Sequence, residues 1–280
     1  MTAIKILIKG AGDLATGIAW RLHRCGCAVL MTEIERPTTV RRTVAFSSAV
    51  YEGRAEVEGV TARLVQDVRE AWRVIDDGKI PVLVDPPAAC KAEFRPDVLV
   101  DAVIAKKNTG TKRTDAPLVI GVGPGFCAGQ DCDLAVETMR GHTLGKVIEE
   151  GCALPNTGVP GEIGGFGKER LIRALAAGTF LPRASIGDRV EKGQIVAECG
   201  GVLIPAQMSG VVRGMLKEGL EVEAGMKCGD IDGRCQVSHC FSISDKARAI
   251  GGGVLEAVLY GGKEKGYVSI HCKRDAVPER

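Results

Sequence analysis

Residues 4–24 have the sequence IKILIKGAGDLATGIAWRLHR, and this stretch decides the fold that we predict. Residues 4–8 are apolar except for Lys5 and predict a short buried strand, residues 9–15 predict a tight turn, and residues 16–24 predict a helix. The turn has the pattern G-x-G-x-x-A, in which Gly10 permits the sharp bend and Gly12 lets a pyrophosphate approach the backbone. Phosphates would meet the helix N-terminus, whose free N–H groups and dipole favour anions. The expected phosphate-binding residues are Gly10, Ala11, Gly12, Asp13 and Leu14.

An acidic residue follows at the spacing that a dinucleotide site requires. Residues 27–32 predict a second buried strand that ends at Glu33, 21 positions after Gly12. A carboxylate about 20 residues beyond the turn binds the ribose in such sites. The alternative is that Glu33 is a solvated charge at a strand end. The expected cofactor is a dinucleotide such as NAD(P) or a cytidine nucleotide.

Three arginines soon after Glu33 keep the nucleotide's identity open. Arg36, Arg41 or Arg42 could neutralise a phosphate, so a 2′-phosphorylated or non-nicotinamide nucleotide remains possible. The alternative for Arg41 and Arg42 is that they are solvated helix charges.

Apolar segments and helical periodicity then alternate. Residues 57–65, 80–84 and 98–105 predict strands, and residues 67–77 have helical spacing. Such alternation is typical of a parallel sheet with right-handed crossovers, with ligands bound at the carboxyl ends of the strands. We therefore expect residues 1–150 to form a Rossmann-like nucleotide-binding domain with a mostly parallel sheet.

Two loops at strand ends are candidates for the opposite wall of this site. One contains Lys107 and Asn108, and the other contains Gly123, Gly125 and Phe126. A basic, amide-bearing turn beside a glycine-rich turn could cradle an anion. The alternative is that the glycine-rich segment is an ordinary turn.

Three polar residues further along form a candidate catalytic group. Glu137, Arg140 and His142 would serve as an acid, an anion clamp and a proton carrier. The alternative is a structural ion pair between Arg140 and Glu137.

The sequence changes character near Gly151, where glycine and proline become frequent and helical periodicity ends. Residues 151–235 contain two G-x-x-V-x-x-G segments that resemble the half-repeats of biotinyl/lipoyl domains. We therefore expect a small all-β barrel-sandwich domain, without the carrier lysine because the matching turn is Cys199-Gly200-Gly201. Residues 240–262 predict a helix that returns to the first domain.

Composition excludes several classes of protein. The 280 residues carry a formal net charge of +2 and no basic stripe with interleaved aromatics, so nucleic acid is not an expected partner. No apolar run approaches the ~18 residues of a membrane span, and the N-terminus does not have the features of a signal peptide. The 11 cysteines include no CxxC pair. We expect a cytoplasmic protein with reduced thiols and no metal site, and we leave open whether it forms a homo-oligomer.

Four segments in this order resemble the YqeB family, accessory proteins of selenium-dependent molybdenum hydroxylase systems. They are GAGDLATGIAWRL (10–22), VDAVIAKKNTGTKRTDAPLVIGVGPGFCAGQD (100–131), VETMRGHTLGKVI (136–148) and SDKARAIGGGVLEAVL (244–259). A more distant similarity is to XdhC-type maturation factors. The resemblance implies a role in maturing such a hydroxylase or supplying its cofactor, with the hydroxylase or its cofactor pathway as partner. Two alternatives remain, an NAD(P)-dependent oxidoreductase with His142 as proton donor and a non-catalytic scaffold for the apo-hydroxylase.

Overall fold

The computed structural model describes residues 3–159, 161–162 and 164–266. The elements in chain order are β1 (Lys5–Lys9), α1 (Asp13–Arg24), β2 (Ala28–Glu33), α2 (Ser48–Glu52), β3 (Arg54–Val57), β4 (Val60–Val65), α3 (Val68–Asp76), β5 (Ile80–Val84), α4 (Lys91–Phe94), β6 (Val98–Asp101), β7 (Leu118–Val122), β8 (Cys127–Ala128), β9 (Leu134–Val136), β10 (Val147–Ile148), β11 (Gly151–Cys152), β12 (Leu171–Arg173), β13 (Gly178–Pro182), β14 (Arg189–Val190), β15 (Ile195–Cys199), β16 (Val202–Pro205), β17 (Gly210–Met215), β18 (Glu221–Val222), β19 (Lys227–Asp232) and α5 (Asp245–Glu264). Short 3-10 helices lie at Arg42–Val44, Lys168–Arg170 and Val237–Cys240.

A large mixed sheet and the helices that cover it share the same core clusters, and we call this unit the first domain. Within the described residues the sheet has nine strands in the order β10-β9-β7-β6-β1-β2-β5-β4-β3. The β3–β4 and β9–β10 pairs are antiparallel, and the other neighbours are parallel. The strands β1, β2 and β6 lie at its centre, so their carboxyl ends place Gly10, Glu33 and Ala102 side by side.

A tight turn divides the single strand expected over residues 57–65. Its two halves belong to β3 and β4, which pair antiparallel at the edge of the sheet. Glu58 and Gly59 have φ values of 46° and 78°. Two consecutive residues with positive φ are what a two-residue hairpin turn needs, because that backbone twist matches the twist of the flanking strands. The chain therefore reverses between β3 and β4 instead of continuing as one strand.

The crossovers also differ from the expected pattern. Helix α1 joins β1 to β2 and α3 joins β4 to β5, but the described segments between β6 and β7 and between β7 and β9 contain no helix. Helix α5, from the far end of the described chain, covers this half of the sheet instead, with Ile250, Val254 and Val258 buried in the same cluster as Ile120 and Val136.

The remaining strands form separate antiparallel sheets. Two sheets of four strands, β12-β19-β17-β14 and β16-β15-β13-β18, pack around Phe180, Val196, Val212 and Leu216, and we call this unit, with its own core, the second domain. The expected fold, a Rossmann-like mostly parallel sheet with a biotinyl/lipoyl-like barrel-sandwich domain, is therefore wrong. The structure has a large mixed sheet with antiparallel edges, accompanied by antiparallel sheets. The expectation failed because periodicity identifies strands but not the direction in which they pair.

Helix α5 packs against α1 through glycine. A Cβ on Gly251 would lie 2.9 Å from the Gly17 carbonyl oxygen, and one on Gly17 would lie 2.8 Å from the Ala247 Cβ. This close approach of two backbones explains how a Gly251-Gly252-Gly253 triplet remains inside a continuous 20-residue helix. Along the described part of the chain, no helix has both the length and the apolar character needed to cross a membrane.

One pair of cysteines departs from the expectation of reduced thiols. Cys127 and Cys152 face each other in the β8–β11 pair and form a disulfide. The sequence could not indicate this pairing, because the two residues are 25 positions apart and their opposition depends on strand register. Cys199, at the expected carrier turn, is buried, and its thiol donates to the Ala176 carbonyl oxygen at 3.1 Å.

Candidate functional site

The glycine-rich turn borders a cavity at the carboxyl ends of the central strands. Gly10 has a φ of 92°, and a Cβ there would lie 2.9 Å from the Ala102 carbonyl oxygen, so the turn requires glycine. Gly12 is the N-cap of α1 and supplies no side-chain hydrogen bond to the first turn. The N-terminus of a 12-residue helix therefore lacks a side-chain cap at the edge of the cavity.

Glu33 lies at the same cavity, at the end of β2. Its Oε2 accepts a hydrogen bond from the Ala11 amide at 2.9 Å, and its Oε1 accepts one from the Ile34 amide at 2.8 Å. Burial raises the pKa of the Glu33 carboxyl, against the opposing effect of these two hydrogen bonds. The cavity, of about 340 Å³, brings together Gly10, Gly12, Asp13, Leu14 and Glu33. We call it the nucleotide cavity.

The two loops expected to form the opposite wall do not line the nucleotide cavity. They pack tightly against each other, since a Cβ on Gly125 would lie 2.4 Å from the Lys107 Cα. Asn108 Oδ1 accepts from the Gly110 and Thr111 amides and so stabilises its own turn. Phe126 is 3% exposed and belongs to the core, and Gly123 packs against the Thr138 side chain.

The three candidate catalytic residues do not converge on one point. Glu137 is 3% exposed, and its carboxylate accepts hydrogen bonds from three backbone amides, those of Thr138, Met139 and Leu154. This carboxylate therefore anchors a loop. Arg140 forms a two-point ion pair with Asp245, at 2.7 and 2.8 Å, and not with Glu137. His142 is exposed and lines neither the nucleotide cavity nor the cleft described next.

A second cavity, of about 380 Å³, lies between the two domains. Its lining includes six basic residues and two acidic ones; the basic residues are Arg41, Arg140, Arg170, Arg213, Lys227 and Lys246. We call it the cationic cleft. Asp13 and Leu14 line both the cleft and the nucleotide cavity, so the two spaces adjoin at the N-terminus of α1.

Most of the cationic cleft could not be predicted from the sequence. Arg41, for which a solvated helix charge was one alternative, is 6% exposed and donates to the carbonyl oxygens of His239 and Ser242. Arg170 and Arg213 lie in the second domain, far away in sequence. One usable signal was Arg213 itself, a charged residue inside the otherwise apolar strand β17, because a buried charge usually has a specific partner.

Comparisons with known proteins give one strong sequence match and weak structural ones. No protein-family model matches the chain. The chain is similar to an aspartoacylase family protein from Mesorhizobium loti, at 14% identity with a TM-score of 0.26, over 82% of this chain and 85% of that one. It is also similar to a succinylglutamate desuccinylase/aspartoacylase from Rhodobacter sphaeroides, at 13% identity with a TM-score of 0.25 and the same coverages. Scores this low do not establish a shared fold.

The sequence match is to a protein named Uncharacterized protein YqeB from Escherichia coli (strain K12). The two are 50% identical over 254 residues, which is 91% of this chain. The chain spans about half of that relative, 47% of its length. Identity at this level over nearly the whole chain supports the YqeB family that the four sequence motifs indicate.

Proposed function

We propose that this chain is a nucleotide-binding accessory protein that serves the maturation or cofactor supply of a selenium-dependent molybdenum hydroxylase. One observation carries the nucleotide part. The glycine-rich turn, the uncapped N-terminus of α1 and the Glu33 carboxylate border a single cavity. A phosphate and a ribose need these groups at neighbouring positions.

Each group has a plausible role toward a nucleotide. The first turn of α1 would bind phosphate through its amides, and Gly12 would allow the close approach. Asp13 places a negative charge there, but Arg41 lies 3.4 Å from its carboxylate and offsets that charge. Glu33, held by the Ala11 and Ile34 amides, would accept a hydrogen bond from a ribose hydroxyl. A dinucleotide such as NAD(P) or a cytidine nucleotide fits this set of groups.

The pathway part of the proposal comes from the family resemblance. The match to YqeB covers 91% of this chain, but this chain corresponds to about half of that relative. The alternative of an NAD(P)-dependent oxidoreductase gains no support from the geometry, because its expected proton donor, His142, is exposed and outside both cavities.

A thermal-shift screen tests the nucleotide part. The purified protein is heated with nicotinamide, adenine, cytidine or guanine nucleotides at millimolar concentration. A ligand at about 100 times its dissociation constant adds about 2.7 kcal/mol to the free energy of unfolding, so one class should raise the melting temperature clearly. The same melting temperature with every class of nucleotide would refute the nucleotide part.

A complementation assay tests the pathway part. Cells that lack this protein are supplied with the wild-type chain or with Gly12→Ala, and the activity of a selenium-dependent molybdenum hydroxylase is measured. We expect the wild-type chain to restore activity and the variant to restore less. Full hydroxylase activity in cells without the protein would refute the pathway part and leave the nucleotide part standing.

A further inference from the structure

The cationic cleft contains buried positive charge that the protein neutralises only in part. Arg41 and Arg213 are each 6% exposed, and Arg170 is 8% exposed. Asp230 accepts a hydrogen bond from Arg170, and its other oxygen lies 3.9 Å from Arg213. Asp230 is thus shared by two buried guanidinium groups, and Arg213 has a second carboxylate, that of Asp232, at 3.8 Å. A buried charge without full compensation is costly unless something else neutralises it.

Two of these guanidinium groups have an unused donor. The buried Nε atoms of Arg41 and Arg213 have no hydrogen-bond partner in the described structure. Asp232 Oδ2 is 3.8 Å from Arg213 Nε, which is beyond hydrogen-bond distance, and it already accepts from Arg234 at 2.7 Å. Buried N–H groups are almost always satisfied in folded proteins, so these donors mark positive charge that the protein itself pairs only in part.

Two lysines, Lys227 and Lys246, add further positive charge to the lining of the cleft. Burial lowers the pKa of Lys227, and repulsion from Arg170 and Arg213 contributes to this effect against the attraction of Asp230. Burial and the charge of Arg140 lower the pKa of Lys246 in the same way. An anion in the cleft would relieve this repulsion for both domains at once, because Lys227 is on β19 and Lys246 is on α5.

We propose that the cationic cleft binds a phosphate group, with Arg213, Lys227 and Lys246 as its main ligands and Arg41 as a neighbouring positive charge. The excess of basic over acidic side chains points to an oxyanion, since such a group offers several acceptor oxygens to basic side chains that converge from different directions. Guanidinium and ammonium groups together are the side chains that proteins use to bind phosphate. A carboxylate ligand has fewer oxygens for the six basic residues of the cleft.

This site deepens the proposed function without depending on it. The cleft adjoins the nucleotide cavity at Asp13 and Leu14, so the phosphate can be the far end of a bound nucleotide or a separate phosphate ester. Because both domains supply ligands, the bound phosphate would hold them together.

Calorimetric titration with inorganic pyrophosphate at low ionic strength tests the proposal. The comparison uses the wild-type chain, the double variant Lys227→Gln/Lys246→Gln, and the control Lys192→Gln/Lys263→Gln. Both control positions are exposed lysines outside the cleft, and Lys263 is on α5 like Lys246. Since each lysine would give the phosphate a charge-assisted hydrogen bond, we expect the cleft variant to bind pyrophosphate at least roughly tenfold more weakly than the control.

Equal affinity in the two variants, or no binding to the wild-type chain, would overturn the proposal. Titration of the nucleotide found in the thermal-shift screen then distinguishes the source of the phosphate. A loss of nucleotide affinity in the cleft variant assigns the cleft to the nucleotide's own phosphates. Unchanged nucleotide affinity, with pyrophosphate binding lost, assigns it to a separate ligand. The pyrophosphate titration gives its result even if no nucleotide binds. The proposals for this site and for the nucleotide cavity can therefore be refuted independently.

Discussion

Gly12 is the residue at which the nucleotide hypothesis can be tested with the least disturbance of the protein. A Cβ there would meet only the Thr39 Oγ1, at 3.6 Å, an ordinary contact, and its φ of −64° suits alanine. We expect Gly12→Ala to fold normally but to bind nucleotide roughly tenfold or more weakly, because the methyl group occupies the path of the phosphate. Calorimetric titration measures the affinity.

The matched control for this variant is Gly252→Ala. Position 252 is also open, with only the Arg21 side chain 3.9 Å away, and it lies on α5 away from both cavities. Nucleotide affinity should be unchanged there. If Gly12→Ala binds as tightly as Gly252→Ala, the phosphates do not approach this turn.

The raised pKa of Glu33 leads us to predict how the free energy of unfolding depends on pH. Burial raises its pKa in the folded protein, so the folded state binds this proton more tightly than the unfolded chain does. The free energy of unfolding should therefore decrease as pH rises from the ordinary pKa of a glutamate through the raised one. We expect this decrease to be absent in Glu33→Gln. Urea denaturation at a series of acidic pH values measures it, and identical pH profiles for both proteins would contradict the assignment.

At the scale of elements, the packing of α5 leads us to expect opposite changes in stability when two adjacent glycines are replaced by alanine. A Cβ on Gly253 would lie 2.0 Å from the Gly145 carbonyl oxygen, whereas position 252 is open. Gly253→Ala should lower the free energy of unfolding by about 1–3 kcal/mol, because the added methyl group forces the backbones apart. Gly252→Ala should raise it by up to about 1 kcal/mol through helix propensity. Chemical denaturation measures both, and equal effects would mean that α5 is not seated against the first domain as described.

The elements themselves were partly predictable. The helix expected over residues 67–77 is α3, Val68–Asp76, where Asp67 accepts a hydrogen bond from the Glu70 amide as its cap. The strand expected over residues 80–84 is β5. These elements are predictable because amphipathic periodicity and capping are local. The prediction is wrong at the Glu58-Gly59 turn and in the barrel-sandwich and Rossmann-like fold, because a fold depends on how its strands pair.

At the scale of the whole molecule, the cationic cleft implies that binding and stability oppose each other. Burial and neighbouring guanidinium groups lower the pKa of Lys227, so its positive charge destabilises the unliganded folded state at neutral pH. We expect Lys227→Gln to raise the free energy of unfolding while it weakens pyrophosphate binding. Denaturation with and without pyrophosphate measures both, with Lys192→Gln as the control. A decrease in stability without ligand would contradict this account of the cleft.

As with the fold, part of the candidate site was predictable from the sequence and part was not. Five residues of the nucleotide cavity were identifiable, because their spacing along the chain reflects a strand, a turn and a helix that are consecutive. They are Gly10, Gly12, Asp13, Leu14 and Glu33. Their convergence at one cavity followed from two neighbouring parallel strands. The predicted roles of Glu137, Arg140 and His142 rested on residue type alone, which does not reveal that Glu137 is occupied by three backbone amides.

The sequence by itself determined the glycine-rich turn, the acid that faces it and the resemblance to YqeB, since each depends on residues close together in the chain or on direct identity. Only the tertiary structure decided the direction of the edge strands, the seat of α5 and the cationic cleft. The cleft brings Arg41 and Lys246 of the first domain close to Arg213 of the second. Such contacts depend on the relative placement of distant elements, which no local pattern of residues encodes.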